Sequence, residues 1–91
     1  MTSQLVKDLY MLQWMLNGFF EVGSDQVRRS DIHTWLDPIS DSVFDALRDW
    51  ESKGFIVILG DPRRCKDKDV CLKVLKPIRA ISEPKDLNDA V

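Results

Sequence analysis

Residues 40–56, SDSVFDALRDWESKGFI, predict an amphipathic helix that ends at a glycine and leads directly into a strand. Ser40 or Asp41 is suited to cap this helix, because a short side-chain oxygen accepts hydrogen bonds from its first amides. Gly54 marks its end, where the backbone commonly turns left-handed. Three apolar residues recur at the spacing of one buried helix face, namely Val43, Leu47 and Trp50. The rest of the chain is therefore expected to pack against this helix.

The residues after this helix predict an antiparallel hairpin. Residues 55–59 are an unbroken run of strand formers, and residues 70–75 alternate as a half-buried strand does. The alternation assigns one face of this second strand to Val70, Leu72 and Val74, and the other to Cys71, Lys73 and Leu75. Residues 61–69, DPRRCKDKD, are too polar for a core and too many for a two-residue turn, so we expect them to form a projecting loop.

The N-terminal region predicts a long first helix over residues 3–21, with Ser3 as its cap. Its second half is apolar almost all round, which is more than a surface helix of a small domain needs. Two interpretations follow: the helix is buried by its own domain, or it forms the seam of a homodimer. The residues assigned to a dimer seam are Tyr10, Met11, Trp14 and Met15.

A short second helix is predicted over residues 31–36, with Ser30 as its cap. Pro38 cannot continue a helix and biases the residue before it towards extended geometry. The link into the third helix is therefore short, and two short helices joined in this way are a candidate helix-turn-helix.

The net charge of −2 conceals a segregation of charge along the chain. Residues 31–51 carry six acids against one arginine, whereas residues 61–79 carry seven bases against three acids. The two regions are therefore expected to prefer different partners.

Length and composition set further bounds. A chain of 91 residues has room for one domain, which we place at residues 1–81, and the polar residues 82–91 are expected to form a flexible tail. No run approaches the ~18 apolar residues of a membrane span, and no signal peptide is recognised, so a cytoplasmic protein is expected. No catalytic cluster or phosphate-binding glycine loop is present, which predicts neither an enzyme nor a cofactor.

Two cysteines and one histidine are too few for a structural zinc site, so no metal is expected. Ordinary reduced thiols are the interpretation favoured for Cys65 and Cys71 in a cytoplasmic protein. A disulfide across the hairpin, or a redox sensor, is the alternative.

The order of helix, helix, helix, strand, charged loop and strand resembles the winged-helix family of helix-turn-helix proteins, found in many small bacterial and archaeal transcription regulators. The string SDSVFDALRDWESKGFIVI looks like the recognition helix of that family, followed by its lysine-glycine-aliphatic passage into the wing. SDIHTWL stands in the place of the preceding helix, and GDPRRCKDKD in that of the wing tip. The resemblance covers residues 5–76 and implies an α+β fold of three helices and a C-terminal β-hairpin wing.

The resemblance also implies a function, namely transcription regulation by binding double-stranded DNA. The third helix would enter the major groove while the wing contacts the backbone or the minor groove. The residues that this assigns to DNA are Arg28, Arg29, Ser42, Arg48, Arg63, Arg64, Lys66 and Lys68.

The acidic third helix leaves a second function open. Asp41, Asp45 and Asp49 would repel phosphates, which carry one negative charge per ~1.7 Å of duplex. The alternative is a protein-interaction module that keeps the winged-helix frame and binds a basic protein partner through this helix.

Overall fold

The computed structural model describes residues 3–33 and 39–85, which form three helices and one three-stranded antiparallel sheet. The predicted α+β class and the three helices are confirmed. The elements in chain order are α1 (Gln4–Glu21), β1 (Gln26–Arg28), α2 (Arg29–His33), α3 (Asp41–Ser52), β2 (Ile56–Ile58) and β3 (Val70–Val74).

Helix α3 begins and ends where the sequence predicts. The Ser40 hydroxyl accepts a hydrogen bond from the Val43 amide at 3.2 Å, and Gly54 follows the last turn with a φ of 82°. The predicted inner face, Val43, Leu47 and Trp50, is buried. Ser3 caps α1 in the same manner, accepting from the Val6 amide at 3.3 Å. The predicted caps and the buried face of α3 are therefore confirmed.

Strand β3 lies at the centre of the sheet, in the order β1-β3-β2. On one side Ile58 of β2 is opposite Leu72 of β3, and on the other side Val27 of β1 is opposite the same residue. The sequence did not predict β1, because a strand of three residues with one buried side chain has no measurable period.

The central position of β3 corrects a second prediction. Cys71 and Leu72 are adjacent in sequence and both are fully buried, so the strict alternation expected for this strand is wrong. A central strand is covered on both faces when another segment packs on its outer face. Here the half-buried Cys65, from the loop between β2 and β3, packs against the core that contains Cys71.

Helix α2 also differs from its prediction. It begins at Arg29, so Ser30 lies inside the helix rather than at its cap. Asp31 caps the start instead, because its carboxylate accepts a hydrogen bond from the Arg28 amide at 3.0 Å. The remainder of the predicted helix, together with Pro38, lies outside the described residues.

The chain after β3 is held against α1 by two amide side chains. Gln13 is 6% exposed and forms hydrogen bonds with the backbone of Ala80 and Ile81 at 2.8–2.9 Å. Asn17, one turn later, forms two hydrogen bonds with the backbone of Ile78, accepting from its amide at 2.7 Å and donating to its carbonyl at 3.0 Å. We name these bonds of Gln13 and Asn17 the amide clamp, which no pattern in the sequence predicted.

The first residues of the predicted flexible tail, 82–85, lie within the described part of the chain. Pro84 is buried, so the chain is packed beyond the predicted domain boundary at residue 81. Residues 86–91 lie outside the described part of the chain. Within the described residues, no helix is long and apolar enough to cross a membrane.

Candidate nucleic-acid interface

The 61–69 loop was predicted to project, and its residues 63, 64 and 66–69 are exposed, but both of its ends are bonded to the rest of the domain. Its first residues form a turn in which the Asp61 carbonyl accepts from the amides of Arg64 and Cys65 at 2.9 and 3.0 Å. The Asp61 carboxylate accepts from the Arg63 amide at 2.9 Å. Pro62, which follows Asp61, is buried. The loop therefore has internal structure that its polar composition does not reveal.

Arg63 fixes this turn against the N-terminus of α3. Its guanidinium donates twice to the Asp61 carboxylate at 3.0 Å and pairs with Asp41. It also lies 4.2 Å from the centre of the Phe44 ring, within range of a cation–π interaction. The hydrogen bonds from Arg63 hold the pKa of Asp61 below its usual range. Arg63 was predicted to contact DNA, but its charge is already compensated by two carboxylates.

Arg29, the first residue of α2, holds the end of the loop and also contacts its start. Its Nε donates to the Pro62 carbonyl at 2.9 Å, and its guanidinium pairs with Asp67. Two backbone bonds add to this attachment, from the Arg29 amide to the Asp69 carbonyl at 3.1 Å and from the Ser30 amide to the Asp67 carbonyl at 3.2 Å. Arg29, another predicted DNA contact, is thus mainly a positioning residue for the loop.

Four of the predicted DNA contacts are exposed bases on or beside this fixed loop. The Arg64 side chain is 87% exposed, with its Nε 3.9 Å from Asp61, and Lys66 and Lys68 are exposed as well. Arg28 is exposed and lies opposite Val70 in the sheet, next to the end of the loop. We name this group, Arg28, Arg64, Lys66 and Lys68, the basic edge.

The outward face of α3 carries the remaining two predicted DNA contacts, Ser42 and Arg48, both exposed. Its carboxylates are partly compensated, since Asp41 pairs with Arg63 and Asp49 pairs with Lys53 at 2.8 Å. Asp45 is exposed between Ser42 and Arg48. The face is consequently less acidic than the sequence suggests, but it is not basic.

The four residues of the predicted dimer seam on α1 differ in how far they are exposed. Trp14 is 62% exposed, and Tyr10 and Met11 are half-buried. Met15 is 8% exposed and belongs to the domain core, so little of its side chain is accessible to a partner. An open groove beside Trp14 extends along Gly18 and Phe19.

Sequence reasoning found the exposed bases but missed the contacts that fix the loop. The only signal was the interleaving of Asp61, Asp67 and Asp69 with the bases. Across residues 3–33 and 39–85, no cluster of three or more histidine, cysteine or acidic residues is placed to hold a metal ion. Comparison with protein-family models, with curated proteins and with solved structures gives no match.

Proposed function

We propose that this chain is a winged-helix domain that binds double-stranded DNA, with the 61–69 loop as its wing. The order of helices and strands supports this proposal, together with a sheet in which β1 pairs with β3 beside the hairpin. In a winged helix the third helix and the wing contact one duplex together. Such a domain would act as a small transcription regulator.

The observation that carries the proposal is the attachment of the loop at both ends. Arg63 holds its start beside the N-terminus of α3, and Arg29 holds its end beside α2. These two attachments fix the backbone of the loop relative to α2 and to the first turn of α3. Exposed bases on a fixed backbone lose less conformational entropy on binding phosphates than the same side chains on a free loop would lose.

The charges suggest how the duplex would be bound. Arg29 and Arg63 are paired with carboxylates of the same domain, so their role is to hold the loop in place. The basic edge would then supply most backbone contacts, while Arg48 is the residue on α3 suited to a bidentate contact with guanine. Asp45 opposes phosphate but accepts hydrogen bonds, as a cytosine amino group requires.

The double variant Lys66→Ala, Lys68→Ala is expected to bind duplex DNA at least several-fold more weakly than the parent. The slope of log K against log salt concentration is negative, and each phosphate contact removed should reduce its magnitude by about 0.9. Fluorescence anisotropy with a labelled random duplex, at low and moderate salt, measures both quantities.

The matched control is Arg79→Ala, Lys85→Ala, which has the same net charge and alters two exposed bases outside the basic edge. It should bind almost as well as the parent. Equal losses in the two variants, or parent binding that does not change with salt, would contradict the proposed interface.

One observation favours a second candidate, a protein-interaction module that binds a basic partner. Asp45 is exposed at the middle of α3, on the face that a major groove would meet. The variant Asp45→Lys separates the two functions. It should strengthen binding to DNA if α3 faces the duplex, and it should abolish binding to a basic protein if α3 holds that protein.

We also propose a homodimer in which α1 packs on its counterpart around Trp14. Trp14→Glu is expected to convert a dimer into a folded monomer in sedimentation equilibrium, because this side chain is 62% exposed and is not needed for the core of the domain. Leu59→Glu is the matched control, since Leu59 is 57% exposed on another element. A parent that is monomeric at high concentration, or equal effects of both variants, would refute the dimer.

A further inference from the structure

Cys65 and Cys71 are brought together by the same loop. Cys71 lies on the central strand β3 and is fully buried, and its carbonyl accepts from the amides of Leu59 and Gly60 at 2.8 and 3.2 Å. Cys65 ends the turn that begins at Asp61, donating its amide to the Asp61 carbonyl at 3.0 Å. Cys65 is half-buried and packs against the core to which Cys71 belongs, and its thiol lies near enough to raise the pKa of the Cys71 thiol.

The two thiols differ in their access to solvent. Burial, followed by the neighbouring Cys65, raises the pKa of Cys71 to about 12, and its thiol lies 3.5 Å from the Val27 carbonyl. Cys71 is therefore a protonated thiol at neutral pH, and a protonated thiol is a poor first nucleophile. Cys65 is only half-buried and stands between the exposed bases Arg64 and Lys66.

We propose that Cys65 and Cys71 are an oxidation site, at which hydrogen peroxide produces a disulfide within the chain. The Cys65 thiolate attacks one peroxide oxygen, the O–O bond breaks, and the departing hydroxide takes a proton to become water. The Cys71 sulfur then attacks the sulfenic sulfur of Cys65. The S–O bond breaks, and the departing hydroxide takes the Cys71 proton to become a second water. The two thiols lose two electrons and two protons, and the peroxide is reduced to two waters.

This oxidation site does not depend on DNA binding, because it rests on the contact between the two cysteines. Where the basic edge binds DNA, the disulfide would join the loop covalently to β3 between Arg64 and Lys66. Oxidation would then change the loop that carries Arg64, Lys66 and Lys68, and with it the proposed DNA interface.

The experiment uses the full chain treated with hydrogen peroxide, followed by alkylation of the remaining thiols and digestion with trypsin. Cleavage after the intervening bases leaves Cys65 in the peptide 65–66 and Cys71 in the peptide 69–73, so only a disulfide joins the two peptides. We expect the joined pair to dominate and to disappear on reduction. The intact protein should lose the mass of two hydrogen atoms and remain a single chain on a non-reducing gel.

Three results would overturn the proposal. They are a disulfide between chains, a sulfinic acid on Cys65 with Cys71 unchanged, and no reaction at a peroxide concentration that oxidises the chain unfolded in urea. The first two would show that Cys71 does not reach Cys65 in the folded protein, and the third would show that Cys65 does not react with peroxide there.

Two variants test the order of the steps. Cys71→Ala should stop at the sulfenic acid of Cys65, which dimedone traps, while Cys65→Ala should leave Cys71 unmodified in the folded chain. Oxidation of Cys71 in Cys65→Ala as fast as that of Cys65 in the parent would refute the order. If the core substitution Cys71→Ala prevents folding, Cys65→Ala by itself still tests the order of the steps.

Discussion

Replacing Trp50 by alanine is expected to lower the free energy of unfolding by about 3–5 kcal/mol. Trp50 is 2% exposed and is the largest fully buried side chain among the described residues. Its removal leaves a cavity in the hydrophobic core that so small a core cannot refill. Because native domains are stable by only about 5–15 kcal/mol, most of the stability of this domain would be lost.

Urea denaturation followed by far-ultraviolet circular dichroism measures this loss. Leu59→Ala is the control, since it truncates a large apolar side chain that is 57% exposed and lies outside the proposed dimer seam. The control should remain within about 1 kcal/mol of the parent, as surface substitutions usually do. If Trp50→Ala unfolds at the same urea concentration as the parent, the buried face assigned to α3 is wrong.

The most accurate predictions from the sequence concern features that depend on residues close together in the chain. The caps Ser3 and Ser40, and the end of α3 at Gly54, follow from hydrogen bonds and backbone angles within one or two turns. The inner face of α3 follows from a strong 3.6-residue period. Local physics is sufficient for these features, and the structure confirms them.

The features that the sequence missed depend on residues far apart in the chain. Strand β1 exists because β3 offers it an edge, although residues 26–28 have little tendency to form a strand alone. Cys71 is fully buried, and its thiol lies 3.5 Å from the carbonyl of Val27, forty-four positions earlier in the chain. Neither of these contacts can be identified from the hydrophobic periodicity of the segments that form them.

The same limit applies to the candidate interface. Composition identified the exposed bases, but it could not distinguish Arg63, which pairs with Asp41 twenty-two positions earlier, from Arg64, which is exposed. Spatial pairing decides which cations remain available to a ligand. The winged-helix assignment and DNA binding therefore stay predictions that the salt dependence of binding would test directly.

Gln13 provides the second large effect, because one side chain satisfies three backbone groups of the C-terminal segment. Its Nε2 donates to the Ile81 carbonyl at 2.8 Å, and its Oε1 accepts from the Ala80 and Ile81 amides at 2.9 and 2.8 Å. Truncation to alanine leaves these groups unpaired beside an apolar helix. Each unpaired buried group costs about 1–3 kcal/mol, and partial access to water reduces the sum, so we expect a loss of about 2–4 kcal/mol.

Two further variants separate hydrogen bonding from packing. Gln13→Met keeps most of the volume but none of the three bonds, so it should lose nearly as much stability as Gln13→Ala. Gln4→Ala is the matched control on the same helix, because the exposed Gln4 donates to Asp8 one turn later, and such a pair contributes about 0.2–0.5 kcal/mol.

Amide hydrogen exchange locates the effect of Gln13. The amides of Ala80 and Ile81 should exchange much faster in Gln13→Ala and Gln13→Met, while that of Ile78, which Asn17 still binds, should be affected less. Unchanged exchange at Ala80 and Ile81 would mean that the segment is held by the burial of Ile78 and Pro84 and not by the amide clamp. A loss confined to these amides would instead show that α1 holds the end of the domain through its polar side chains, which a search for apolar periodicity cannot detect.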